Sequence, residues 1–342
     1  MPAFESSKWK RATIAIVVVL MVLVIVTVCM SVSVLHDSVV VRRAAQVAVG
    51  AASPETAHIA ASSTTTTPLP ATPTPSTSAC AGHDFNRFAS DLIVRLERGQ
   101  GSKAGPQSPP ACLTPKGTLS SRFGKNNAWV LEGDGQLWIV FRGTATKDEW
   151  EKDFELNQAP LMSRVLSKRA RKIAYPDMST SPQTPVGAQF PKDVMVHSGF
   201  LQIYDDLSDT IHKVISRSNA PNVCIAGHSL GGALAQITAL DVCSAHPDKE
   251  VDVVVFGCPR VGNTRFAEEV TAPENLNTLT MFSNTCDIVP NLPLAVQPTL
   301  KSPDTPIQYT HPSATQTHNF TDNRGSWVEN HVMQVYVNYM MA

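Results

Sequence analysis

The sequence predicts an α/β domain with a mostly parallel central sheet covered by helices on both faces, and three observations predict it. Short β-branched runs at residues 222–226, 251–256 and 278–282 are separated by helical stretches, the pattern of strands buried on both faces. The first run leads into Gly227-His228-Ser229-Leu230-Gly231-Gly232 and then the helical ALAQITALDVC, so a serine sits on a strand-to-helix turn. Residues 81–342 show no internal repeat and have the length of one domain.

What precedes that domain is of a different kind. Residues 12–35 carry no charge, and as a helix they would reach about 36 Å, enough to span a bilayer. Lys8, Lys10 and Arg11 lie just before this run and predict a cytoplasmic start, although Arg42 and Arg43 beyond it weaken the asymmetry. The apolar stretch exceeds the roughly 7 to 15 residues of a cleaved signal, so the expectation is one transmembrane signal anchor at 12–35 after a cytoplasmic tail at 1–11. Residues 62–78, SSTTTTPLPATPTPSTS, cannot bury a core, and 36–80 reads as a disordered stalk open to O-glycosylation. The expected topology is a single-pass type II membrane protein with a luminal or extracellular domain, which cutting the stalk would release.

Charge and cysteines narrow the partners. With 28 basic and 29 acidic residues the net charge is −1, which argues against a phosphate-binding surface and a nucleic-acid partner. Cys29 falls in the apolar run and six cysteines follow the Ser/Thr/Pro run at 62–78, an even count that admits disulfides in an oxidising compartment. No C-x-x-C pair occurs, so no metal is expected. Asn319-Phe320-Thr321 is a glycosylation sequon, consistent with the same side of the membrane.

Within the domain, residues 84–98 place Phe85, Phe88, Leu92 and Leu96 on one helical face, and EGDG between residues 128–131 and 137–141 predicts a hairpin turning at Asp134-Gly135. Ser229 in G-x-S-x-G is the candidate nucleophile: glycines flank it because side chains there would collide with strand and helix. A serine hydroxyl needs a base and an orienting acid, which in this fold class follow in the order Ser, Asp or Glu, His. Asp287 follows a strand and is the candidate acid, while His311, His318 and His331 all lie downstream as candidate bases. The Leu230 N–H, directly after the nucleophile, is a candidate donor to a developing oxyanion.

Taken together, Phe141-Arg142-Gly143-Thr144, Val196-His197-Ser198-Gly199-Phe200, GHSLGGALA around Ser229, the run from Phe256 to Asn263, and Asp287-Ile288-Val289-Pro290 resemble the fungal-type class three triacylglycerol lipases of the α/β-hydrolase fold. The resemblance covers about residues 84–342. It implies Ser229, Asp287 and His331 as catalytic triad, and Thr144 beside Leu230 in the oxyanion hole. It also implies a lid after Thr144, with Trp150 and Phe154 one helical turn apart as lid candidates, and an ester of an acylglycerol or phospholipid as substrate, without a cofactor. Arg142 reads as structural. A feruloyl or other carbohydrate-ester esterase, and a catalytically inactive surface binding module, are the rival readings. The insertion at 161–193 carries Arg164, Lys168, Arg169, Arg171 and Lys172, either a solvated run or an attraction for anionic headgroups. A bridge between Cys258 and Cys286 is a further expectation.

Overall fold

The computed structural model describes residues 84–98, 107–125, 127–145, 153, 157–161, 193–297 and 306–342. The apolar run 12–35, the stalk, Trp150, Phe154 and the basic cluster at 164–172 lie outside the described residues. Among the described residues no helix is long and apolar enough to cross a membrane.

Asp84 caps α1 (Phe85–Glu97), its carboxylate accepting from the Arg87 N–H at 2.9 Å. Ala89, Leu92, Ile93 and Leu96 of α1 are fully buried, and the rings of Phe85 and Phe88 pack on Trp138 with centroids 5.3 and 5.4 Å away. Next come β1 (Thr114–Leu119), β2 (Ala128–Gly133) and β3 (Gln136–Phe141), joined antiparallel. The turn between β2 and β3 is Asp134-Gly135 with φ of +54° and +74°, the two-residue hairpin whose twist matches its strands. After a small antiparallel pair, β4 (Gln158–Pro160) and β5 (Met195–His197), the chain enters α2 (Ser198–Arg217).

Strands and helices then alternate: β6 (Asn222–His228), α3 (Leu230–Ala245), β7 (Glu250–Phe256), α4 (Thr264–Glu269) and β8 (Leu276–Asn284). A second small pair, β9 (Val296–Gln297) and β10 (Ile307–Gln308), precedes β11 (Gln316–Phe320), α5 (Trp327–His331) and α6 (Met333–Met341). The main sheet has the order β1-β2-β3-β6-β7-β8-β11 and is parallel from β3 to β11. This is the expected α/β-hydrolase arrangement.

Both faces of the sheet are covered, and residue alternation shows it. On β7, Val251, Val253 and Val255 join the core beneath α2 and α3, while Val254 and Phe256 join the core beneath α1 and α6. Every residue of α3 from Leu230 to Cys243 is buried, as befits a helix packed on the sheet centre.

The expected Cys258–Cys286 bridge is absent: both thiols are free. Cys258 turns inward, where Gln236 Nε2 donates to its Sγ at 3.2 Å, whereas Cys286 lies half-buried on the loop after β8. Cys224 and Cys243 are also free, and Cys112 is disulfide-bonded to a partner outside the described residues.

Candidate active site

The site forms at the carboxyl ends of the parallel strands, where β6 gives way to α3. Ser229 occupies that junction with φ +56° and ψ −127°, a region a side chain enters only when its surroundings impose it. Its N–H donates to Phe256 O at 3.0 Å, and its carbonyl accepts from Gly232 N–H at 2.8 Å, fixing the turn from both sides. Strand and helix approach so closely that a Cβ on Gly227 would stand 2.1 Å from Gly231 O. The hydroxyl is therefore thrust outward at the carboxyl end of the central strand, and Leu230 N–H lies in the first turn of α3, where amides have no intrahelical acceptor.

His331 Nε2 lies 2.7 Å from Ser229 Oγ and His331 Nδ1 lies 2.6 Å from Asp287 Oδ2. Asp287, 1% exposed, also accepts from Tyr336 Oη–H at 2.6 Å and, through Oδ1, from Val289 N–H at 2.9 Å. A carboxylate so provided accepts from Nδ1–H and leaves Nε2 with its lone pair facing the serine proton. Burial pulls the His331 pKa below the usual histidine value, and the hydrogen bond to Asp287 opposes this without reversing it. A lowered value keeps the base neutral further into acid. Burial, with the Asp287 charge, pushes the Tyr336 phenol up, so it remains a donor.

Two buried asparagines tie the acid and base segments together. Asn284 Nδ2 donates to Asp322 O at 2.7 Å and to Asn330 O at 3.2 Å, while Asn330 Nδ2 donates to Cys286 O at 3.0 Å. Gly257 packs against the same group at φ +55°: a Cβ there would stand 2.9 Å from Tyr336 Oη and 3.1 Å from Asp287 Oδ2.

On the other side of the serine, Thr144 Oγ1 donates to Asp153 Oδ2 at 2.6 Å, which orients the loop leaving β3. Arg142 is buried and structural, donating to Gly143 O at 2.6 Å and Lys125 O at 2.7 Å. A third set of contacts lies behind the triad. Glu97 Oε1, at the end of α1, lies 2.9 Å from His228 Nδ1 and accepts from Gly143 N–H at 3.0 Å; His228 Nε2 lies 2.8 Å from His331 O.

Ser229, Asp287 and His331 thus meet in one hydrogen-bonded chain, with Leu230 beside the serine. The other two histidines lie elsewhere: His311 Nε2 bonds Pro290 O at 2.7 Å, and His318 stacks on Phe282 in the sheet. Tyr336, Glu97 and His228 were not singled out by sequence reasoning. Tyr336 lies only five residues beyond His331, but Val332, extended between α5 and α6, breaks the helical spacing that would have linked them, and Glu97 lies more than 100 residues before the serine.

Residues 138–297 match the family model described as Lipase (class 3). Over this segment the chain is similar to the class 3 lipases. Among its relatives, a phospholipase A1-II 1 of Oryza sativa is 28% identical over 227 residues, covering 57% of this chain and 52% of its own. Phospholipase A1-IIdelta of Arabidopsis thaliana is 37% identical over 186 residues, covering 47% of this chain and 43% of its own. A lipase of Rhizomucor miehei is 29% identical over 187 residues, 52% of this chain and 44% of its own. The chain spans about half the length of the curated relatives it matches. The class 3 lipase match contains Ser229 and Asp287, whereas Glu97 precedes it and His331 and Tyr336 follow it.

Proposed function

We propose that this chain is a serine ester hydrolase acting on acylglycerols or phospholipids, held at a membrane by residues 12–35. The observation that carries the reading is the unbroken hydrogen-bonded chain from Ser229 Oγ through His331 to Asp287. Ser229 Oγ attacks the ester carbonyl as His331 Nε2 takes its proton, and Asp287 stabilises the imidazolium that results. Negative charge moves onto the former carbonyl oxygen, which Leu230 N–H and Thr144 N–H receive. His331 returns the proton to the leaving alcohol, leaving an acyl-serine, and then activates water to release the carboxylic acid and restore Ser229. Relatives named phospholipase A1 and lipase support a lipid ester as substrate.

The segment from Trp150 to Phe154 serves as lid. Residues 36–80 space the domain at 81–342 from a type II anchor, and Asn319, exposed on the edge strand β11, carries a glycan on the luminal or extracellular side. The test uses the full chain in detergent micelles, with Ser229→Ala beside it, on acylglycerol, phospholipid, short-chain and feruloyl esters. Turnover of the lipid esters is expected, with a loss of at least about 10⁴-fold in the variant. A folded wild-type chain that neither turns over an ester nor reacts with an organophosphonate overturns the reading in favour of a binding module. Preference for feruloyl esters would replace the substrate class alone.

A further inference from the structure

We infer that Glu97 and His228 form a positioning pair for the proposed hydrolysis, a buried cation and a partly buried anion that clamp the base segment to the oxyanion loop. The inference rests on the ester-hydrolase reading and adds residues outside the triad. Hydrogen bonding fixes the protonation of His228. The carbonyl of His331 only accepts, so Nε2, 2.8 Å away, carries hydrogen. Glu97 Oε1 already accepts Gly143 N–H, as an ionised oxygen does best, so Nδ1 at 2.9 Å carries hydrogen as well. An imidazole with two N–H groups is a cation.

The electrostatics agree with that geometry. Burial opposes charge on His228, yet the Glu97 charge and hydrogen bond, helped by the His331 carbonyl, raise its pKa above the usual value. Burial likewise opposes charge on Glu97, but His228 and Gly143 N–H hold its pKa below the usual carboxylate range. Apolar side chains could fill this space at a smaller desolvation cost, but they could not hold a carbonyl and an amide at once.

The pair and the two groups it holds are placed where the reaction needs rigidity. His228 precedes the nucleophile, Gly143 precedes Thr144, and the carbonyl belongs to the base itself. The ring of His228 also lies 4.8 Å from that of His331. Asp287 and, more weakly, Glu97 favour a proton on His331, whereas burial and the neighbouring His228 cation disfavour it. Tyr336 spends its hydrogen bond on Asp287. The pair therefore restrains the base, and its cation adds to burial in keeping the proton off His331.

The experiment compares the full wild-type chain with Glu97→Gln and Glu97→Asp on a soluble short-chain ester, with serine sites counted by organophosphonate. Glutamine keeps the size and hydrogen-bonding capacity but removes the charge. It is expected to lower kcat per titrated site on the order of 10- to 100-fold with KM unchanged. It should also move the acidic limb of kcat/KM to higher pH, since a neutral His228 no longer repels the proton on His331. Aspartate keeps the charge and should recover part of both. Nitrogen-15 spectra should show His228 doubly protonated in the wild type and not in Glu97→Gln. A variant that loses thermal stability or titratable sites but keeps kcat per site and the acidic limb overturns the inference, as does a neutral His228 in the wild type. If the wild type itself has no turnover, the ester-hydrolase reading falls and takes this one with it; if only the variants behave like wild type, this one falls alone.

Discussion

The two ends of α3 each hold a buried histidine beside the helix, and the pKa values of the two are shifted in opposite directions. At the amino end His228 faces Glu97, and its pKa rises. At the carboxyl end His246, 3% exposed, faces His212 at 2.9 Å; burial and then that second histidine lower its pKa to about 4. The helix dipole alone would favour the reverse, because a cation belongs at the carboxyl end. Partner chemistry decides instead: a dipole worth about 0.3 to 1 kcal/mol loses to a carboxylate in hydrogen-bond contact. In the carboxyl-end cluster the carboxylate, Asp241, lies 3.0 Å from His212 Nε2 and 2.5 Å from Tyr204 Oη, so its charge reaches His246 at one remove.

The largest effect expected at the amino end is that of Ser229→Ala, at least about 10⁴-fold in turnover, with an unchanged melting temperature distinguishing lost chemistry from lost fold. Gly257→Ala follows. A methyl at φ +55° would press on Tyr336, Asp287 and His331, and kcat should fall about 100-fold while circular dichroism stays native. Tyr336→Phe removes one donor from Asp287; stability measured by urea unfolding should drop by about 1 kcal/mol and kcat by less than tenfold.

The smallest effect on activity sharpens the contrast from the other end. The fold holds His246 neutral to about pH 4, while an unfolded histidine takes its proton near pH 6.5, so the wild type loses stability as pH falls through that window. His246→Gln should flatten this part of the stability profile and leave kcat at neutral pH unchanged, as thermal melts between those two pH values would reveal.

Much of this was legible in the chain because the signals are local. Asp84 and the apolar spacing after it announce α1, Asp134-Gly135 announces the hairpin, and the glycines around Ser229 announce the turn that exposes it. The position of Asp287 at a strand end was readable for the same reason. His331 was not separable from His311 and His318 by residue type or spacing, because what selects it is a meeting in space 102 residues from Ser229. Glu97 was hidden more deeply. A glutamate closing an amphipathic helix looks like a solvated end, and only the sheet brings it to His228, 131 residues on. β11 gave little pattern because it is a short edge strand on which only Phe320 is buried. The Cys258–Cys286 expectation failed for a related reason: nearness of two strand ends does not bring two thiols together, and Cys258 packs inward against Gln236 while Cys286 stays half-buried on its loop.

Those long separations have a consequence for the chain before it is folded. Each closure of a loop of that length costs entropy that grows as about (3/2)RT ln n and is recovered only when the sheet between is complete. Serine, base and clamp are therefore brought together only by the assembled sheet, and a chain without it lacks the arrangement proposed to cleave an ester. A protein proposed to be made at a membrane is in this way harmless to the lipids around it until its fold has closed, and counting phosphonate-reactive serines counts the chains that have closed.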